Sequence, residues 1–418
     1  MALNKVRKIF SEHLDELKKR GTLKGKETVI RGIKPARGKE GPRYYIEGKG
    51  DREFIRMNAN SYLGMSLKKE VIKAEERAAQ EFGAGPGAVR FISGTYAPHI
   101  ELEKKLARFH RKESAMLFSS AYSAVMGILP PLISKETIVI SDELNHNCII
   151  NAARLAHPKD KKIYRHNKVE ELEKAIVESV GNCRRVIVVT DGIFSMRGEY
   201  APLPEIANIQ EKYDPKFEEG IISVVDDSHG VGAFGATGRG TMEYTGEERV
   251  DILVATLGKA LGVNGGYLVS DAEVVEFLRE TSPFYIYSNP ITASEASAAL
   301  KALEILDSPV GMKMLDHLRN ITARFEHGLV DLGFEVIRGE HPVVPLMIRD
   351  TKKTSELVGY LEGKGVLATG LNYPVVPRGD EEIRFQVCAD HTEFDIDHVL
   401  ELLKTYRNQE EKEQGLTL

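Results

Sequence analysis

Residues 224–235 read VVDDSHGVGAFG, and the reading of this stretch decides the fold. Its second half, Gly230-x-Gly232-x-x-Gly235, has the glycine spacing of a dinucleotide-binding loop. Its first half is an apolar strand that runs into Asp226 and, three residues later, His229. A dinucleotide loop needs its glycines directly after the strand and at the start of a helix, so that the pyrophosphate meets the helix N-terminus. Here Asp226 to His229 intervene, and GAFGATGRGTMEY continues with two more glycines, Gly238 and Gly240, and no helical period. Asp251 lies where a ribose-binding acid would, but that is a match of spacing alone. The dinucleotide reading is set aside, and the glycines are expected to form a flexible, polar loop after a strand end that carries chemistry.

Downstream, ATLGKALGVNGGY places Lys259 at a glycine-flanked turn after the strand DILVATL. Taken alone, a turn lysine is usually a surface charge. Leu257, Ala260 and Leu261, with Gly258 and Gly262, instead make a tight apolar setting that lowers an amine's pKa and favours imine chemistry. An aspartate at one strand end and such a lysine at another are what pyridoxal 5′-phosphate requires: a partner for the pyridine nitrogen and an amine for the aldehyde.

The surrounding pattern is α/β. The runs AMLFSS, TIVIS, RVIVVTD, IISVVDD, DILVATLG and GGYLVS are near-continuous and β-branched, as strands buried on both faces are. Helical patterns at 144–156, 168–180 and 202–213 alternate with them, which predicts a large, mostly parallel sheet with helices on both sides. In such sheets ligands bind beyond the carboxyl ends of the strands. Residues 291–327 read as long helices. After about 330, shorter strands (FEVI, VVPLMI, GVLATGL, EIRFQVC) and helices at 354–363 and 394–406 predict a smaller α+β domain. The expected division is 1–57 for an N-terminal helix and extension, 58–295 for a large cofactor-binding domain and 296–418 for the small C-terminal domain. The charged tail EEKEQ is expected to fray.

The 418 residues carry 62 acidic and 57 basic side chains, a net charge of −5 that is well mixed along the chain and leaves no nucleic-acid footprint. The longest apolar runs, such as Ile128 to Ile133, are far short of the roughly 20 residues of a membrane span. The first residues, MALNKVRKIFSEHLDELKKRG, read as an amphipathic helix with Val6, Ile9, Phe10, Leu14 and Leu17 on one face, lying on the body of the protein or on a partner subunit. Three cysteines, Cys148, Cys183 and Cys388, are far apart without CxxC spacing, which suggests reduced thiols in a cytoplasmic protein and no metal site.

The segments NANSYLG (58–64), AVRFISGT, LFSS, SDELNHNCII, TDGIFSM, VDDSHGVG, TLGKALG, YSN, YPVVP and IRFQVCADHT (383–392) follow one another in this order. In them the chain resembles the α-oxoamine synthase family, fold-type I pyridoxal-phosphate enzymes that condense an amino acid with an acyl-CoA. The resemblance implies that Lys259 is the Schiff-base lysine and proton-transfer base, and that Asp226 holds the pyridine nitrogen protonated. It implies His229 and Ser195 near the ring's 3′-oxygen and His146 stacked on the ring. Read alone, each of these histidines is a turn or helix-start residue, and Ser195 a turn hydroxyl.

A strand, a turn and a helix at AMLFSS-AYSAVMGIL make the amides of Ala121 and Tyr122 candidates for the phosphate, and Thr256 can add a hydroxyl. Ser288 and Asn289 match the family position where a neighbouring subunit reaches the phosphate, which implies a homodimer with shared active sites. Arg384 matches the arginine that binds the substrate carboxylate, a role its planar guanidinium suits; a strand-edge surface charge is the alternative. Asn60 and Arg90 are candidates for the same cavity. Within the family, RFISGT, SDELNHNCII, DGIFSM and NYPVVPRG look most like the glycine C-acetyltransferase branch, so glycine plus acetyl-CoA, giving 2-amino-3-oxobutyrate and CoA, is the expected reaction. The alternatives are 8-amino-7-oxononanoate synthase (alanine and pimeloyl-CoA), a serine palmitoyltransferase-like activity and, more remotely, a fold-type I aminotransferase. SSAYSAVMGILPPL departs from the family in its bulky apolar groups and is the segment expected to alter acyl-chain preference.

Overall fold

The computed structural model describes residues 2–20, 23, 27–373 and 375–413. Seven strands form its main sheet: β1 (Ser114–Phe118), β2 (Thr137–Asp142), β3 (Asp160–Tyr164), β4 (Arg185–Asp191), β5 (Ile221–Asp226), β6 (Ile252–Thr256) and β7 (Gly266–Ser270). They lie in the order β1-β7-β6-β5-β4-β2-β3, and only β7 runs against its neighbours. The expected mostly parallel α/β architecture is what forms.

The unbroken apolar runs are explained by burial on both faces. Along β4, Val186 and Val188 enter one core while Ile187 and Val189 enter the other, as alternation of side chains across a strand requires. Strand β3, DKKIY, lacks that signature: it lies at one sheet edge and is largely exposed, and lysines there discourage further pairing.

Two smaller sheets accompany it. Strands Ile30–Lys34, Arg43–Ile46 and Glu53–Arg56 form one with the short C-terminal strand Val366–Leu367. Glu335–Val336, Val343–Met347, Glu382–Gln386 and Thr369–Leu371 form the other. GVLATGL, expected as one strand, is thus split between two sheets. The long helical region is two helices, Ala293–Leu306 and Pro309–Asp331, because the Ser308 side chain caps the second and Pro309 cannot continue the first. Helix Ala293–Leu306 spans the expected boundary at 295 and packs on helices Lys69–Phe82 and Ala97–Phe109.

Two expectations are corrected, and a third, the N-terminal helix lying on the body of the protein or on a partner subunit, loses its first alternative. The last helix runs Glu393–Glu413, so the described part of the charged tail is helical. The N-terminal helix, Ala2–Lys19, leaves Leu3, Ile9, Phe10 and Leu14 between 53% and 61% exposed, so the body of the same chain does not cover them. The glycine-rich loop is packed rather than flexible: residues 227–235 are all buried. It wraps the Asp227 carboxylate, which accepts from the Thr241 amide and hydroxyl, both at 2.6 Å. A side chain at Gly230 or Gly240 would overlap that carboxylate. Gly232 has φ of +81°, and its Cβ would lie 2.5 Å from that of Ala260, beside Lys259.

Candidate functional site

The loops after β1, β2, β4, β5 and β6 open at the carboxyl ends of the strands onto one cavity. Lys259 reaches it from the turn after β6. There burial pushes its amine down to about 8, against the pull of the Asp226 and Asp191 carboxylates. The turn is closed by Thr256, whose hydroxyl donates to the Gly265 carbonyl at 3.1 Å and accepts from the Gly258 amide at 3.0 Å. Thr256 lines the cavity, but its hydroxyl hydrogen is engaged in that turn rather than free for a phosphate.

Asp226 and Asp191 end adjacent parallel strands in register. Asp226 accepts from the Ser228 amide at 3.1 Å, and the Cys148 thiol lies 3.8 Å from its other oxygen. Asp191 accepts from the His146 amide at 3.1 Å, while its second oxygen is buried without a partner. Burial, then the neighbouring Asp226 charge, holds the Asp191 carboxyl well above the usual range.

His146 caps the helix Asn147–Ala156, its Nδ1 accepting from the Cys148 amide at 3.3 Å, and also lines the cavity. Partial desolvation lowers its imidazole pKa, opposed by Asp226. Ser195 lines the cavity from the loop after β4. His229 lies 2.7 Å through Nδ1 from the Tyr62 hydroxyl. Burial, then the Lys259 and Arg384 charges, holds it well below its ordinary pKa.

At the β1 end, Ser120 caps the helix Ala121–Leu132 by accepting from the Ser123 amide at 3.0 Å. The amides of Ala121 and Tyr122, which have no acceptor within the helix, border the cavity. A helix N-terminus for an anion, a depressed lysine, a strand-end aspartate and an orphaned acid oxygen fit pyridoxal phosphate.

Arg384 donates to Asn60 Oδ1 at 3.2 Å and stands close enough to depress both Lys259 and His229. With the Gln386 amide oriented to satisfy both its ends, its oxygen also accepts from Arg384, at 2.6 Å. Ser288 and Asn289 are not brought to the cavity by their own chain; they follow Tyr287, which is 78% exposed. Arg90 is corrected to a structural residue. Its buried guanidinium donates two hydrogen bonds to the Glu103 carboxylate, at 3.1 and 3.2 Å, and Glu103 also pairs with Arg279. Pro374, within YPVVP, lies outside the described residues.

Sequence reasoning passed over Tyr62, Cys148, Asp191 and His341. Asp191 had a signal, since RVIVVTD ends in aspartate just as IISVVD does. His341 had none, because its partner is the His229 carbonyl 112 residues away.

Against known proteins, the model of the family described as aminotransferase class I and II matches residues 52–403. The 8-amino-7-oxononanoate synthase 1 of Bacillus velezensis is 38% identical over 375 residues, 89% of this chain and 92% of that protein. The mitochondrial 2-amino-3-ketobutyrate coenzyme A ligase of Bos taurus is 37% identical over 402 residues, 96% of this chain and 92% of that one. Among solved structures, the serine palmitoyltransferase of Sphingomonas wittichii superposes with a TM-score of 0.86 at 27% identity, over 100% of this chain and 99% of the other. A further serine palmitoyltransferase structure, solved with pyridoxal phosphate, gives 0.85 at 27% identity over 96% and 97%.

Proposed function

This chain belongs to the aminotransferase class I and II family and, within it, to the α-oxoamine synthases, and on that premise we propose that it joins alanine to pimeloyl-CoA. The products are 8-amino-7-oxononanoate, coenzyme A and, as the carbon balance demands, carbon dioxide. Its cofactor is pyridoxal 5′-phosphate. The similarity to the Bacillus velezensis synthase is the observation that carries the choice of substrates. The expected glycine and acetyl-CoA pair is the second reading, favoured by the match to the Bos taurus ligase.

The segment from Val125 to Leu132 does not decide between them. Val125, Ile128, Leu129 and Leu132 are buried in the core on one face of the main sheet and so form no wall for an acyl chain.

When bound, the cofactor supplies an electron sink for the bonding pair released at the substrate's α-carbon. The chain does the rest. Arg384 binds the amino acid's carboxylate in this reading, and Asp226 would hold the ring nitrogen. The amides of Ala121 and Tyr122 would receive the phosphate, and His146, Ser195 and His229, which line the same cavity, would hold the ring. Lys259 Nζ takes the α-proton, a task its depressed pKa of about 8 suits because the free base is populated near neutrality.

The test is a matrix of alanine, glycine and serine against pimeloyl-, acetyl- and palmitoyl-CoA, scored by specificity constant, with carbon dioxide collected from carboxyl-labelled amino acid. Each buried methylene of the acyl chain is worth about 0.8 kcal/mol, so chain length is a sensitive readout. Preference for alanine and pimeloyl-CoA with release of label supports the proposal. Preference for glycine and acetyl-CoA moves the assignment to the second reading.

A further inference from the structure

A chain of hydrogen bonds runs from Arg384 to His229 through Tyr62, a fully buried residue of the NANSYLG segment. The Tyr62 hydroxyl lies 2.7 Å from His229 Nδ1 and 3.4 Å from Asn60 Oδ1, and Arg384 joins this group through its bond to Asn60. The single phenolic hydrogen therefore has two acceptors to choose between. Asn60 Oδ1 is the longer contact and already accepts from Arg384 at 3.2 Å. The imidazole nitrogen is nearer and more basic, and a phenol is a better donor than a neutral imidazole. The hydrogen belongs on the bond to Nδ1.

Burial beside Lys259 and Arg384 keeps His229 neutral. A neutral imidazole that accepts at Nδ1 carries its hydrogen on Nε2. The backbone of the same residue is held from the opposite side. Val343 donates its amide to His341 Nδ1 at 3.2 Å, so His341 Nε2 carries the hydrogen and donates to the His229 carbonyl at 2.9 Å. The His341 ring stands edge-on to Tyr62, with centroids 5.2 Å apart.

We propose that Tyr62 is a positioning residue that sets the tautomer of His229, so that Nε2 presents an N–H to the cofactor cavity that His229 lines. The proposal rests on the reading of that cavity as a pyridoxal phosphate site that receives an amino acid. It assigns a buried tyrosine, not a surface lid or loop, to the control of one proton in the site.

The first measurement is nitrogen NMR of holoenzyme with ¹⁵N-labelled histidine, the His229 signals being those lost in His229→Ala. Wild type should show a bare Nδ1 and a hydrogen-bearing Nε2, and Tyr62→Phe should shift that pattern. The second is titration of the cofactor's absorbance with amino acid. Tyr62→Phe should weaken the response by at least about tenfold, the size of one lost hydrogen bond to a buried group. In the His229→Ala background the same change should cost less than about twofold, since Tyr62 acts through His229. A hydrogen on Nδ1 in wild type, or the full loss from Tyr62→Phe without His229, overturns the proposal. A wild-type absorbance indifferent to every amino acid would instead sink the proposed function, while the nitrogen signals still decide the tautomer.

Discussion

At the scale of single residues, the structure turns a glycine-flanked lysine into a titration with a definite sign. The Lys259 amine, ordinarily near 10.5, is pushed to about 8 by burial, and only the neutral amine attacks an aldehyde. The fold binds this proton less tightly than the unfolded chain does, so the lysine's contribution to apoprotein stability rises between about pH 8 and 10.5. The rate at which apoprotein takes up pyridoxal phosphate, followed by absorbance, should climb up to pH about 8 and level above it. A rate still climbing at pH 10 would place the amine in water. Arg384→Ala should weaken amino-acid binding by about ten- to a hundredfold, the loss of a charge-assisted hydrogen bond worth roughly 1.5–3 kcal/mol. Cofactor affinity, titrated in parallel, should change little; its collapse would make Arg384 structural.

At the scale of elements, two features hold loops against the cavity. Gly232 sits at φ +81° with no room for a Cβ beside Ala260. Gly232→Ala should cost at least about 1–2 kcal/mol for the left-handed backbone alone, and it displaces the turn that carries Lys259. A lowered melting temperature together with weakened cofactor retention is expected, and retention equal to wild type would separate this loop from the site. The loop with Ser195 is anchored by His166, which lies 3.2 Å from Asp142 at the end of β2 and 3.5 Å from Glu199. Burial lowers its pKa, but the hydrogen bonds to Asp142 and Glu199 outweigh that and raise it to about 9. Because the folded value lies above the ordinary 6.5, its stabilisation is complete below pH about 6.5 and lost as pH rises through about 9. Urea midpoints at pH 6 and 9.5 should therefore differ more in wild type than in His166→Gln. An equal difference in both proteins would show that the cluster stores no pH-dependent stability.

At the scale of the whole molecule, the cavity lacks contributions from Ser288 and Asn289 of its own chain. We propose that a second copy supplies them, in a homodimer with shared sites. Mixing an inactive Lys259→Ala chain with an inactive Ser288→Ala/Asn289→Ala chain should restore part of the condensation activity, because one hybrid site in each mixed dimer is intact. No recovery after proven subunit exchange would mean that each chain completes its own phosphate site.

What the sequence by itself determined is what local chemistry encodes. The apolar runs of β1, β2 and β4–β7 were legible because strands buried on both faces must be continuously hydrophobic. Asp226 and Lys259 were legible because strand ends and glycine turns are where such sheets place polar groups, and His229 through the resemblance of VDDSHGVG. The tertiary structure decided what depends on distant partners. It placed the charged strand β3 at an edge, divided residues 365–371 between two sheets, and buried the glycine loop around Asp227. It spent Arg90 on Glu103, and it brought Tyr62 to a histidine 167 residues away. Arg90 and Glu103 are 13 residues apart, but nothing in that stretch marks them as a pair, and no window of sequence contains both Tyr62 and His229. They follow from packing, which brings separate strand ends to one rim and leaves each buried polar group to find its partner there.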